Sequence, residues 1–267
     1  MPPRSVTYLL GFMTAVCVVC SLMVSTAAVL LKDRQDANAL LDKQRNVLVA
    51  MGALKSGEWA SRQKIESLFA QVRPVIVDLR TGEETREIDP ATFDPFKAAR
   101  RVETSRPAPE NLARVMRVPN HALVYKVFKG DRLDMLVLPV EGKGLWSTLY
   151  GFLALDHDLT TIHGLTFYKH GETPGLGGEV DNPLWKSLWP GRKAFDETGA
   201  VRIQVIKGKA GPPESDPYHV DGLSGATQTH NGVTHLLAFW LGPDGFGPYL
   251  AKLRHSAPAQ PGGASRD

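Results

Sequence analysis

Cysteine is nearly absent from this chain. Only Cys17 and Cys20 occur in 267 residues, and both lie in one apolar run near the N-terminus. The rest of the chain therefore has no disulfide framework and no thiolate metal site. Long runs of one charge are missing too. The formal net charge is +3, with lysines and arginines evenly spread; this argues against a nucleic-acid-binding protein. His157, His163, His170 and His219 show no metal-ligand spacing. No internal repeat is visible.

What the chain does have, first, is a long apolar stretch. Tyr8 to Leu31 contains no charged residue, and a membrane-spanning helix needs about 20 mostly apolar residues. A cleaved signal peptide is the alternative, with small residues at Ser25-Thr26-Ala27-Ala28. Its apolar region would run only about 7–15 residues. This run is longer and stays apolar past the small residues, so it reads as a retained anchor. Arg4 precedes it, and Lys32, Arg34, Lys43 and Arg45 follow. By charge bias alone, the large domain would sit in the cytoplasm. Cys17 and Cys20, one helical turn apart, read as small packing residues.

Periodicity divides the remainder. Residues 1–31 form a tail and anchor, and 32–119 a juxtamembrane helix with a membrane-proximal α/β region. Residues 120–255 form the main domain, and 256–267 a polar, disordered tail. Helical spacing covers Lys32–Met51 and Ser61–Val72, the latter stopped by Pro74. Strand patterns follow at Val75–Leu79, Leu123–Phe128, Leu133–Val140, Leu145–Leu155, Ile162–Tyr168 and Val201–Ile206. Gly142-Lys143-Gly144 reads as a flexible loop, and residues 89–119 as short irregular pieces. Asn182-Pro183 opens a short helix reaching Leu188. The last predicted helix runs from about Thr229 to Leu241, with Val233, Leu236, Leu237, Trp240 and Leu241 on one stripe and Gly242 as its stop. Strands without regular βα alternation indicate an α+β fold.

Two segments stand apart from this core patterning. Tyr168–Gly178 follows a strand, and five of its residues are Gly or Pro; it is either a surface turn or a loop against which a flat ring can lie. Asp221-Gly222-Leu223-Ser224-Gly225-Ala226-Thr227 opens onto the last helix. Either its hydroxyls simply cap that helix, or Thr227 anchors a phosphorylated cofactor at the unpaired N–H groups of the helix start. Gly222-Leu223-Ser224-Gly225-Ala226 also approximates a nucleophile elbow, which would make Ser224 the nucleophile of a membrane-tethered hydrolase. Its available histidines, His230 and His235, follow on the same helix, a poor arrangement for a triad. A non-redox binding module is the third reading. Trp146, Trp185, Trp189 and Trp240 read as core or interface residues.

Ser224-Gly225-Ala226-Thr227 with Asp221 upstream resembles the flavinylation motif of the covalent FMN-binding domain family. Phe167–Glu179, Asn231-Gly232-Val233 and Phe239–Leu250 resemble further family blocks in the same order, so the likeness runs from Gly142 to Leu253. Members include C subunits of Na⁺-translocating NADH:quinone oxidoreductases and G subunits of Rnf complexes; Gly171–Trp185 and Gly245-Phe246-Gly247-Pro248 fit the C branch better. The resemblance implies an electron-carrier subunit of such a sodium-translocating complex, with an Rnf-type complex as the alternative. It implies FMN joined by a phosphoester to Thr227, with Ser224, Gly225, Ala226 and Thr229 shaping the phosphate pocket and Asp221 helping to present the motif. Glu172, Thr173, Leu176 and Gly177 would border the ring. No base stands beside Thr227, which agrees with a separate flavin transferase using FAD and Mg²⁺. Implied partners are the other subunits of the redox complex and the membrane. The implied location is the periplasmic face of a bacterial inner membrane, opposite to the charge count.

Overall fold

The computed structural model describes residues 5–256. Arg4 and the predicted tail beyond Ser256 lie outside the described residues. The chain divides into two units, 1–43 and 44–267.

The first unit is the body of helix α1 (Val6–Ala50). α1 is long and apolar enough to cross a membrane, with a window of mean hydropathy 2.3. The anchor and the juxtamembrane helix predicted on either side of Leu31/Lys32 form one continuous helix. No Gly or Pro lies between Phe12 and Met51, so the backbone ladder continues while the side chains turn from apolar to charged.

In the second unit, α2 (Arg62–Phe69) is followed by β1 (Val72–Asp78) and β2 (Glu83–Thr85). Next come α3 (Pro95–Arg100), β3 (Ser105–Pro107), β4 (Arg117–Pro119), β5 (His121–Lys129) and β6 (Arg132–Lys143). After these follow β7 (Thr148–Asp156), β8 (Ile162–Lys169) and α4 (Pro183–Lys186). The chain continues through β9 (Gln204–Val205), β10 (His219–Val220), α5 (Thr227–Leu241) and α6 (Gly247–Ser256). Six strands form one antiparallel sheet in the order β2-β1-β5-β6-β7-β8. The fold is α+β, as the pattern predicts. The sheet crosses the expected boundary at 119/120, because β1 pairs with β5 along its whole length. Residues 44–119 are thus part of the same body.

Side-chain alternation gives the sheet two apolar faces. On one, Val124, Leu138, Leu153 and Phe167 join a core with Val233, Leu236, Leu237 and Trp240 of α5. This is the stripe that the helical spacing predicts, and each fully buried Leu or Val contributes about 1.5–3 kcal/mol. The other face carries a row of rings. Phe69 meets Tyr125 edge-on at 5.8 Å, Tyr125 meets Phe152 at 6.0 Å, and Phe152 stacks on Tyr168 at 5.0 Å.

Four local differences from the sequence pattern have physical causes. Pro74 does not stop a helix but sits inside β1. β2 covers β1 only from Ile76 to Asp78, so Pro74 lies at the sheet edge, where its missing N–H costs no ladder bond. Gly142 lies not in a flexible loop but in strand β6, and a Cβ there would lie 2.5 Å from Leu236 Cβ. The Val201–Ile206 pattern yields only the two residues of β9, paired in parallel with β10. Helix α6 follows α5 in the last part of the main domain, where the sequence pattern assigned no element.

Gly232 matches Gly142 from the helix side: a Cβ there would lie 2.4 Å from the Lys143 carbonyl oxygen. Gly232→Ala should therefore destabilise the domain by about 1–3 kcal/mol through overpacking against backbone. Urea denaturation monitored by circular dichroism would show it, and an unchanged midpoint would contradict this packing.

Candidate functional site

The helix that carries Thr227 begins without a side-chain cap. Its N-cap is Ala226, and no side chain accepts from the first turn of α5. The simple capping reading of the Ser and Thr residues therefore fails. The leading N–H groups and the positive end of the helix dipole are left for an outside acceptor. Thr227 is the first helical residue, and its side chain is exposed, as is that of Ser224. Gly225 adopts φ +70°, a left-handed conformation that glycine accepts without strain. A Cβ on Gly225 would lie 3.0 Å from Leu176 Cδ2. The two segments singled out in the sequence thus meet here, through Leu176 and Gly225.

Asp221 braces the motif from behind. Its carboxylate accepts from Ala210 N at 2.9 Å, and its carbonyl accepts from Trp185 Nε1 at 2.9 Å. Gly222 N donates to Gly208 O at 2.8 Å. Asp221 therefore sets the approach of the chain to α5, and its bonded carboxylate oxygen is turned to the 206–210 turn.

Glu172 is the hub of the region. It is only 5 % exposed. Its carboxylate accepts from Leu145 N at 3.2 Å, Trp146 N at 3.0 Å, Ser147 N at 3.1 Å and Thr229 Oγ1 at 2.6 Å. Burial pushes its pKa up, but these four hydrogen bonds together outweigh burial and hold the carboxyl below its ordinary range. Gly144 and Gly177 make room for it: a Cβ on either would fall 2.7 Å from a Glu172 oxygen. Thr229 is fully buried and committed to Glu172, so it supports the site from inside.

The Gly-rich loop is fixed at both ends. Thr173 is exposed, and its carbonyl accepts from Leu176 N at 3.1 Å and Gly178 N at 2.9 Å. Gly175 has φ +75°, and Gly177 is buried. His170 is not a loose loop histidine. Its Nδ1 accepts from Glu172 N at 3.2 Å, which leaves Nε2 to donate to Asp181 at 2.7 Å. That bond to Asp181 raises its pKa against the opposing effect of burial.

Sequence reasoning missed the loop between β6 and β7. Leu145 and Trp146, 47 % and 67 % exposed, are held beside the Gly-rich loop by Glu172. Trp146 is thus a surface side chain, unlike the buried Trp185, Trp189 and Trp240. The available signal was Gly144, a second small residue ahead of an exposed Trp. With the half-exposed Leu176, these side chains form an apolar border of the kind that marks a binding surface.

The hydrolase geometry is not built. β10 ends at Val220, four residues before Ser224. The left-handed residue is Gly225 rather than Ser224. No hydrogen bond joins Ser224 to a histidine among the described residues. His230 is buried, its Nδ1 is without a partner, and burial lowers its pKa.

The arrangement is an antiparallel-sheet domain with an uncapped helix start beside a glycine-rich loop, the class of fold that offers a phosphate site at a helix N-terminus. Residues 144–242 match the family model described as FMN-binding domain. The chain is 48 % identical over 255 residues to the C subunit of the Na(+)-translocating NADH-quinone reductase of Pseudomonas aeruginosa, covering 94 % of this chain and 97 % of that one. The C subunit of the Vibrio vulnificus reductase is 46 % identical over 253 residues, covering 94 % and 96 %. Among solved structures, Shewanella oneidensis NqrC superposes with a TM-score of 0.74 at 37 % identity, covering 80 % of this chain and 97 % of that one. The chain belongs to the family of C subunits of Na⁺-translocating NADH-quinone reductases.

A carboxyl whose folded pKa lies below its unfolded value of about 4.3 contributes stability above that pH and loses it as pH falls through the folded value. Glu172 is such a group. Glu172→Gln should lower stability at pH 7 by about 1–3 kcal/mol, and the gap to the parent should narrow below about pH 4. Thermal unfolding of both proteins across pH checks this; a gap that is constant with pH would contradict it.

Proposed function

We propose that this chain is the electron-carrier subunit of a Na⁺-translocating NADH:quinone oxidoreductase, and that its FMN is joined by a phosphoester to Thr227. One observation carries the reading: the exposed Thr227 hydroxyl stands at an uncapped helix start, in a chain of this C-subunit family. The residues fit the group. Free helix N–H groups suit a phosphate, the glycine at position 225 leaves the approach open, and Leu145, Trp146 and Leu176 offer apolar surface to a flat ring.

When bound, the flavin supplies one- and two-electron transfer. The protein's part is positional. α5 presents Thr227 and directs its dipole at the phosphate. Glu172 holds the 145–147 loop against α5, and His170 with Asp181 holds the entry to the Gly-rich loop. A Thr hydroxyl is a weak nucleophile, and the nearest histidine on the helix, His230, is buried. Activation of Thr227 Oγ therefore belongs to a separate flavin transferase with FAD and Mg²⁺. A covalent link keeps the cofactor through many turnovers while leaving it exposed to partner subunits. The apolar part of α1 serves as a single-pass anchor in the bacterial inner membrane, with the large domain on the periplasmic side. The names of the relatives from Pseudomonas aeruginosa, Yersinia pestis and Vibrio vulnificus, each a C subunit of the reductase, favour this complex over an Rnf-type one.

Mass spectrometry of the peptide containing Thr227, from protein co-produced with a flavin transferase, should show an added FMN less one water. A fluorescent band on a denaturing gel should vanish in Thr227→Ala and persist in Ser224→Ala. An unmodified peptide, or loss of the band in Ser224→Ala alone, would overturn the assignment. Expression in a host lacking any flavin transferase should give colourless, folded protein; yellow, covalently labelled protein would contradict the need for that enzyme.

A further inference from the structure

A concavity lies in the region that the motif reading left without a role. It holds about 400 Å³ between α3, the loop before β4, and the adjoining ends of β6 and β7. Small-molecule sites occupy about 300–1,000 Å³. No residue of the Thr227 motif or of the Gly-rich loop lines it.

One wall is aromatic and preset. Phe96 and Tyr150 meet edge to face at 5.1 Å. Lys169 Nζ lies 5.6 Å and 5.7 Å from the two ring centroids. The rest of the lining is strongly cationic: Arg100, Arg114, Arg117 and Lys143 stand against a single acid, Glu141. Two of these cations are already engaged. Arg117 donates to Ser105 Oγ and Ser105 O, both at 2.8 Å, and Lys143 Nζ donates to Trp146 O at 3.0 Å. The side chains of Arg100 and Arg114 make no hydrogen bond or ion pair with the protein among the described residues.

The backbone at Arg114 adds an independent sign. Arg114 has φ +53°, a left-handed conformation uncommon outside glycine. Asn111 enforces it. Its Oδ1 accepts from Val115 N at 3.0 Å, and its Nδ2 donates to Val115 O at 2.9 Å and to Pro109 O at 2.7 Å. Such strain persists where surroundings over-determine it, typically at ligand clamps. Here it fixes the loop that brings an uncompensated guanidinium to the cavity.

We propose that this cavity binds a small organic phosphate carrying a planar ring. The ring lies on the Phe96–Tyr150 wall, and the phosphate is held by Arg100 and Arg114, whose planar forks match phosphate oxygens. The excess of cations favours a dianion over a monoanion.

Calorimetric titration of the full chain in detergent micelles tests this with phenyl phosphate, inorganic phosphate and phenol as probes. Phenyl phosphate should bind about tenfold or more tightly than inorganic phosphate, and phenol should give no heat. Arg100→Gln and Arg114→Gln should each weaken phenyl phosphate about tenfold; both positions are exposed, and an unchanged unfolding midpoint verifies the fold. Phe96→Leu should bring phenyl phosphate close to inorganic phosphate. Thr227→Ala should bind phenyl phosphate as the parent does, which keeps this result separate from the flavin assignment. Equal affinity for the two phosphates, no heat from either, or arginine variants that bind as the parent does would each overturn the proposal.

Discussion

The carboxylate of Glu172 takes four hydrogen bonds in a nearly dry setting, from three successive backbone N–H groups and one helix hydroxyl. A buried charge left with part of its partners costs several kcal/mol, so these segments hold together or come apart together. The 145–147 loop, the Gly-rich loop and the start of α5 are distant in sequence, yet this one group registers them. Its depressed pKa is the electrostatic trace of that role. Everything proposed for Thr227 relies on α5 beginning where it does, beside loops that do not shift.

The close approach of α5 to the sheet is the second constraint, and it is met by omission. Gly142 and Gly232 remove side chains from opposite sides of one contact, and Gly144 and Gly177 do the same around Glu172. Glycines that suggest flexible loops in a sequence act here as clearance. The mobility inferred for Gly142–Gly144 gives way to a strand end and a tightly bonded turn.

Legibility followed the physics of each signal. The apolar stripe of α5 was readable because burial on a helix imposes a period that residue types reveal. The β5–β6 pair was readable from the neighbouring strand patterns Leu123–Phe128 and Leu133–Val140, and Gly130 turns between them at φ +62°. The motif around Thr227 and the Gly-rich loop were each visible, and the resemblance implied that both border one cofactor; the direct approach of Leu176 to Gly225 was not readable, since tertiary contact leaves no local pattern. The Glu172 hub was hidden for a different reason. Three of its four donors are backbone N–H groups, which any residue supplies. Pro74 was misread because proline suits both a helix stop and a sheet edge, and only the length of β2 decides between them.

That short β2 has a consequence for the behaviour of the chain in company. From Val72 to Val75 one side of β1 lies open, and an open strand is a template on which another copy can assemble. Proline at position 74 removes a donor from that stretch, and Arg73 places a charge next to it. The domain can thus leave part of its sheet unroofed and still resist stacking onto its neighbours, even when many copies crowd one membrane surface.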